Sequence, residues 1–334
     1  MTGVLRKARL LWGLMTGILI MATGGCGDSR TEPSYAPLRH PFRGANLFLD
    51  ADSLAAHWQR TNGAAWLDPI VGTSQARWLT GPNDLDDLPA VLNAARDQDA
   101  LLVLVAYYIP NLDCAGPEHG ASDAGAYGSW IEQVIERLGS TEAVVILEPD
   151  AVAADCFDEE RAAMLADASR KLAGAGHYVY VDAGHPRWRS AAETAERLRK
   201  SGIQHAEGFS VNVSNRQSTA DSQRWSAELS KLVGDREAII DTSRNGLPAP
   251  PDDEWCNSAR QGLGERPTSD PGLEPIAALV WVKRPGESDG PCGADPGAGV
   301  GSFSPRQARL LIVNAPWVSA DARRLAEQAR PPAS

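Results

Sequence analysis

The chain has 334 residues and a formal net charge of −11, long enough for a large core and too acidic for nucleic acid to be its partner. Its six histidines form no spaced pair and its five cysteines no zinc-type spacing, so no metal or cofactor is expected. No internal repeat, phosphate-binding loop or low-complexity tract interrupts it.

The opening run MTGVLRKARLLWGLMTGILIMATGGC sets Arg6, Lys7 and Arg9 before an apolar stretch from Leu10 to Ala22, with small residues ahead of Cys26. That is the layout of a secretory signal, too short and too glycine-broken for a membrane span. Gly24-Gly25-Cys26 resembles a bacterial lipobox, which makes Cys26 an expected lipidation site and membrane contact a matter of that anchor alone. Removing residues 1–25 takes away three basic residues and no acidic ones, leaving −14. Gly27 to His40, GDSRTEPSYAPLRH, is polar, proline-bearing and aperiodic, the composition of a flexible tether. The expected organisation is a signal peptide over 1–25, a tether over 26–40 and a single folded body over 41–334, monomeric in solution.

Within the body, Leu101 to Ala106 is an apolar run that leads into YYIPNLDC, ending at Asp113 and Cys114. Tyr127 to Leu138 has helical character. Ala143 to Leu147 is a second apolar run, followed by Glu148-Pro149-Asp150. A β-branched run of this kind predicts a strand buried on both faces, and Pro149 stops it, so Asp150 is delivered to the strand's carboxyl end. Further along, a helix over Glu159 to Leu172 precedes a strand at Tyr178 to Val181, which opens into DAGHPRW with Asp182, His185 and Trp188. A helix over Ala191 to Lys200 follows, and Ala277 to Val282 leads into KRPGESDGPC with Lys283, Glu287, Asp289 and Cys292. The alternation predicts parallel βαβ units, whose carboxyl edge is where ligands and chemistry sit. One acid after a strand is an ordinary helix cap, whereas four after four strands point to a shared polar pocket. In such a pocket a carboxyl group held against apolar residues has the raised pKa that a general acid needs.

The blocks YYIPNLDC, ILEPDAVA, YVDAGHPRW, GFSVNVSN, IIDTSRNG, EWCN, LGERPT and ALVWVKRPGESDG resemble, in order and spacing, those of glycoside hydrolase family 6, the inverting β-1,4-glucanases called endoglucanases and cellobiohydrolases. The resemblance runs from about Asn46 to Trp317. It implies an α/β fold, a distorted (β/α) barrel with fewer than eight strands in a single domain, acting on β-1,4-glucan or cello-oligosaccharide. Asp150 then matches the general acid, Asp113 the neighbouring carboxylate that raises its pKa, and Tyr107 the tyrosine that helps to distort the sugar. Asp289 matches the candidate base. Two roles stay open for it: direct base, or a structural anion while water passes its proton through a second water to a serine, here Ser122, and Asp113.

Trp188 and Trp255 match positions that stack on glucosyl rings, and Lys283 and Glu287 match residues that bind hydroxyls. Asp182 and His185 are expected to bind sugar or order the site and Asn212 to bind sugar, while Trp130, Trp225 and Trp317 are assigned to the core. The resemblance joins Cys114 with Cys156 and Cys256 with Cys292, each bridge contributing about 4 kcal/mol by the chain-entropy estimate, and leaves Cys26 unpaired. Three departures stand out. Leu112 replaces the basic residue usual before Asp113, and Arg216 replaces a common aromatic, which removes one platform. The stretch between Cys292 and Phe303 is too short for the loop that roofs a cellobiohydrolase tunnel, so an open, internally cutting cleft is expected. The alternative is an envelope-anchored β-glucan-binding lipoprotein with little or no turnover.

Overall fold

The computed structural model describes residues 34–116, 119–251 and 254–329; the signal segment and Cys26 lie outside them. The elements in chain order are α1 (Leu54–Asn62), α2 (Asp68–Val71), β1 (Arg77–Leu79), α3 (Leu88–Asp97), β2 (Leu102–Ala106), α4 (Ala124–Leu138), β3 (Ala143–Leu147), α5 (Glu159–Gly174), β4 (Tyr178–Asp182), α6 (Ala191–Lys200), β5 (Gly208–Val211), α7 (Thr219–Leu232), β6 (Glu237–Asp241), β7 (Ile276–Val280), α8 (Pro305–Val313) and α9 (Ala320–Gln328). The seven strands form one parallel sheet in sequence order, as the strand–helix rhythm predicts.

Side chains alternate across a strand, and here both alternating sets are apolar. Leu102, Leu104, Val145, Leu147, Val181, Phe209 and Ile240 face the helices in one cluster. Val103, Val105, Val144, Ile146, Tyr180, Ile239 and Val280 form another. In that second cluster β2 and β3 share a core with β6 and β7, which requires the sheet to curl upon itself. The seam between its ends is spanned by Ala76 N–H to the Trp281 carbonyl (2.9 Å), by the Trp78 indole to the Val282 carbonyl (2.8 Å) and by Arg284 Nε to the Ala76 carbonyl (3.0 Å). A separate cluster under α1, α8 and α9 buries Trp66, Leu67, Leu263, Trp281 and Leu311.

Four of the sheet-covering helices start on a side-chain cap: Asp123 for α4, Asp158 for α5, Ser190 for α6 and Ser218 for α7, each accepting the amide three residues on. Such caps satisfy an otherwise orphan donor. Trp130 and Trp225 are buried, and Trp317 packs on the α8–α9 cluster with its indole donating to the Gly264 carbonyl at 2.6 Å.

The stretch expected as a tether is docked from Tyr35 onward. Arg39 grips Glu207 through Nε (2.5 Å) and its own amide (2.8 Å), and donates to the carbonyls of Gly176 and His177. His40 pairs with Glu237, and Arg236 lies over the Tyr35 ring while donating to the Ala36 carbonyl at 2.6 Å. A basic and an aromatic residue hidden in a polar, aperiodic stretch hold it to the body. A chain starting at Ser34 is expected to keep full stability, whereas one starting at Pro41 loses about 2 to 4 kcal/mol through the missing charge-assisted bonds. Denaturant melts of the two forms check this.

Candidate active site

At the carboxyl edge of the sheet, acids that end a strand capture amides of the neighbouring loops. Glu148, directly after β3, is fully buried and accepts the amides of Tyr108 (3.0 Å) and Ile109 (3.1 Å), just beyond β2. Burial lifts its pKa to about 8. Asp182, the last residue of β4, accepts the amides of Asp150 (2.9 Å) and Gly184 (3.0 Å) and the Ser210 hydroxyl (2.8 Å). Burial raises it to about 7. Asp241, the last residue of β6, accepts the amides of Ser214, Ser243, Val282 and Lys283 at 2.9 to 3.2 Å.

Asp150 sits on the loop so held, with φ of +70°. The ordinary reading of Asp150 as a helix cap does not apply, because α5 begins only at Glu159 with Asp158 as its cap. One carboxyl oxygen of Asp150 is buried without a hydrogen-bond partner. Its pKa is pushed up first by burial, then by the like charges of Asp182 and Asp113. Asp113 is exposed and takes the Tyr107 hydroxyl at 2.6 Å. Tyr107 is driven upward by burial and by Asp113, so it stays a donor. Asn111, Asp113 and Cys114 all have φ between +54° and +58°, and the Cys114–Cys156 disulfide, with Cα atoms 5.8 Å apart, fastens this turn beside the Asp150 loop.

Asp150 and Asp113 open onto a cleft of about 590 Å³ whose lining includes His185, Trp188, Arg216, Arg244, Trp255 and Asp289. Trp188 is 38% exposed and Trp255 60%, an unusual state for tryptophan and one suited to stacking on a flat apolar ring face. The His185 ring lies 5.4 Å from that of Trp188. Asp289 is held in the opposite way to Asp150. Both its oxygens take Arg244 Nη1 at 2.8 Å, and Oδ2 also takes Arg216 at 3.3 Å and the Asn257 amide at 3.0 Å. Lys283 Nζ stands 3.5 Å away. Burial works to raise the Asp289 pKa, but Arg244, Lys283 and Arg216 outweigh it and hold the carboxyl well below the usual range.

Not every expected residue reaches the cleft. Asn212 is fully buried, its amide donating to the carbonyls of Gln217 (3.2 Å) and Asp241 (2.8 Å) while its oxygen accepts from Gln217 N–H (2.9 Å). It fastens β5 to β6 and has no group left for sugar. Asp182 is likewise spent on ordering the loops. Ser122 donates to Asp123 at 3.1 Å and does not line the cleft. Glu287 is turned toward Arg284 (3.7 Å), its pKa raised chiefly by burial. Leu112 packs against the helix-side core, and Arg161 supports the same turn by donating to the carbonyls of Pro110 and Asn111. Sequence reading missed Glu148, Asp241 and Arg244 as site builders. Glu148 and Asp241 each close an apolar run, which was the available signal, whereas Arg244 stands three residues past the end of β6 and carries none.

A carboxyl group favouring its proton and a carboxylate kept ionised, in one cleft flanked by exposed tryptophans, define the site of a glycoside hydrolase that works with paired acids. Residues 46–315 match the profile of Glycosyl hydrolases family 6, and the chain belongs to that family. It is 38% identical to endoglucanase A of Cellulomonas fimi over 251 residues, which is 72% of this chain and 55% of that protein. With endoglucanase 1 of Streptomyces halstedii it shares 36% identity, covering 80% and 88% of the two chains. The endoglucanase Cel6 of Mycobacterium tuberculosis, solved with methyl-cellobiosyl-4-deoxy-4-thio-β-D-cellobioside, superposes with a TM-score of 0.77 at 36% identity, covering 82% of this chain and 99% of that one. The chain spans little more than half of the C. fimi protein and nearly all of the other two. Among the described residues, no group of three or more His, Cys, Asp or Glu could hold a metal ion.

Because Asp182 follows burial as the next cause of Asp150's raised pKa, Asp182→Asn removes a like charge and lowers that pKa. The alkaline limb of kcat/KM is then expected to move to lower pH, measured beside a thermal melt that reports any loosening of the loop.

Proposed function

We propose that this protein hydrolyses internal β-1,4-glucosidic bonds of cellulose or a related β-glucan with inversion, acting as a monomer. The observation that carries this reading is the opposed electrostatic setting of Asp150 and Asp289 in one cleft. Asp150 gives its proton to the glycosidic oxygen as the C1–O bond breaks, and water adds to C1 from the other face of the ring. Of the two roles open for Asp289, the geometry favours the indirect one. A carboxylate shared among two arginines, a lysine and an amide is a poor proton acceptor, so Asp289 stays ionised and fixes the cations around it. The water's proton is assigned to Asp113, which is exposed at the cleft and accepts the Tyr107 hydroxyl. Ser122, bonded to Asp123, is left out of that path.

Trp188 and Trp255 supply the stacking faces, with His185 beside Trp188 and Lys283 beside Asp289. Internal cleavage is supported by the endoglucanases at 34 to 38% identity and by the course of the chain after Cys292. That segment folds back on its own stem, with Ser288 N–H to the Ser302 carbonyl (2.9 Å) and Gly301 N–H to the Ser288 carbonyl (3.0 Å). A binding protein without turnover is the weaker reading, since it leaves Asp150's unpartnered, proton-favouring carboxyl without a purpose. On soluble β-1,4-glucan, viscosity is expected to fall ahead of reducing-sugar release, and proton NMR to show the α-anomer first. Asp150→Asn is expected to lower kcat about 10²- to 10⁴-fold with the fold intact. Near wild-type turnover by that variant, or the β-anomer as first product, would refute the assignment.

The two disulfides support a location in an oxidising compartment outside the cytoplasm. For its attachment we propose acylation of Cys26, the one cysteine outside both bridges. The intact protein is then expected in the membrane fraction and Cys26→Ser in the soluble one, since loss of the acyl chains removes the anchor. Equal partitioning of the two forms counts against acylation.

A further inference from the structure

Arg216 takes the place of an aromatic platform, yet it does not leave a hole. Its side chain is 3% exposed and reaches three partners on separate segments. Nη1 donates to the backbone carbonyl of Trp255 at 2.6 Å, Nη2 to Gln261 Oε1 at 3.0 Å, and Nη2 also to Asp289 Oδ2 at 3.3 Å. Burial and the nearby Arg244 press its pKa down to about 9, so it remains charged at neutral pH.

Just beyond Trp255 the chain is tied down by other means. Cys256 is bridged to Cys292, and Asn257 exchanges hydrogen bonds with Asp289, its amide giving to Oδ2 (3.0 Å) and its Oδ1 taking the Asp289 amide (2.9 Å). Those ties act on residues 256 and 257. The carbonyl of Trp255 itself is held by Arg216, while the indole stands 60% exposed at the cleft. A ring whose backbone is fixed before the ligand arrives binds without the cost of ordering it.

We propose that Arg216 is a positioning residue that locks the Trp255 platform to the Asp289 loop and thereby sets how tightly the cleft holds a sugar there. The proposal rests on reading the cleft as a β-glucan site. It assigns a specific use to the departure at position 216: one stacking face is exchanged for a strut beneath another. The planar fork of arginine suits this, since its two terminal nitrogens reach the Trp255 carbonyl on one side and Gln261 and Asp289 on the other, whereas the donors of a lysine all radiate from a single nitrogen.

The test is calorimetric binding of cellopentaose to proteins that all carry Asp150→Asn, so that the ligand is not consumed. Arg216→Gln is expected to weaken binding about tenfold, the equivalent of one charge-assisted hydrogen bond. Trp255→Ala is expected to weaken it at least as much, and the double variant to bind no worse than Trp255→Ala alone, because a strut has nothing to position once the platform is gone. Undiminished binding by Arg216→Gln, or a double-variant loss equal to the sum of the single losses, overturns the proposal. If Arg216→Gln fails to fold, Arg216→Lys, which retains the charge and loses the fork, is measured in the same cycle with the same two criteria. A parent Asp150→Asn protein that binds no cellopentaose overturns the glycan reading itself, a result distinct from failure of the strut.

Discussion

The site depends on buried strand-end carboxylates that accept backbone amides from the adjoining loops. Parallel strands all deliver their carboxyl ends to one edge, where the chain leaves its ladder and its amides lose their partners. Here Glu148 of the β3 end holds the loop after β2, Asp182 of β4 holds the loop after β3, and Asp241 of β6 holds the loops after β5 and β7. The acid of each strand thus secures its neighbour. Asn212 extends the pattern with an amide side chain in place of a carboxylate.

This arrangement carries an electrostatic cost that the site uses. A carboxylate removed from water is tolerable only with donors on it, and the strand-end acids have two to four each. Asp150 is the member of the group that sits in the same low-dielectric layer with a buried oxygen lacking a donor. Its charged form is therefore the least supported among them, and protonation is its way of meeting the environment. In the proposed mechanism, the proton needed for leaving-group departure follows from the same burial that orders the loops.

Much of this was legible from sequence where the physics is local. Strands buried on both faces must be continuously apolar, so Ala143 to Leu147 and Tyr178 to Val181 announced themselves. Pro149 marked where the strand ended. What escaped depends on barrel closure. Arg216 and Asp289 are 73 positions apart and Arg244 and Asp289 are 45, and neither pairing has any local signature. Asn212 was misread for a related reason: an amide after a strand suits both a ligand and a neighbouring carbonyl, and only the tertiary structure shows the carbonyl of Asp241 waiting for it. The docked stretch around Arg39 was hidden because its composition is that of a linker, while its partners, Glu207 and Glu237, come from the β5 and β6 edges.

The carboxyl groups of Asp150 and Asp289 are driven in opposite directions although they share a cleft. Viewed from Asp150, Asp289 and Arg244 act with opposite signs, Arg244 lowering its pKa and Asp289 raising it. At Asp150 the charge of Asp289 thus offsets part of the effect of Arg244. What lifts Asp150 comes from its own side: burial first, then Asp182 beneath it and Asp113 beside it. Asp289 can therefore be surrounded by three cations without stripping the acid of its proton, because its own charge offsets part of theirs. Removing Asp289 would leave those cations uncompensated within reach of Asp150, which is a sufficient reason for a carboxylate at that position even when it takes no proton from water.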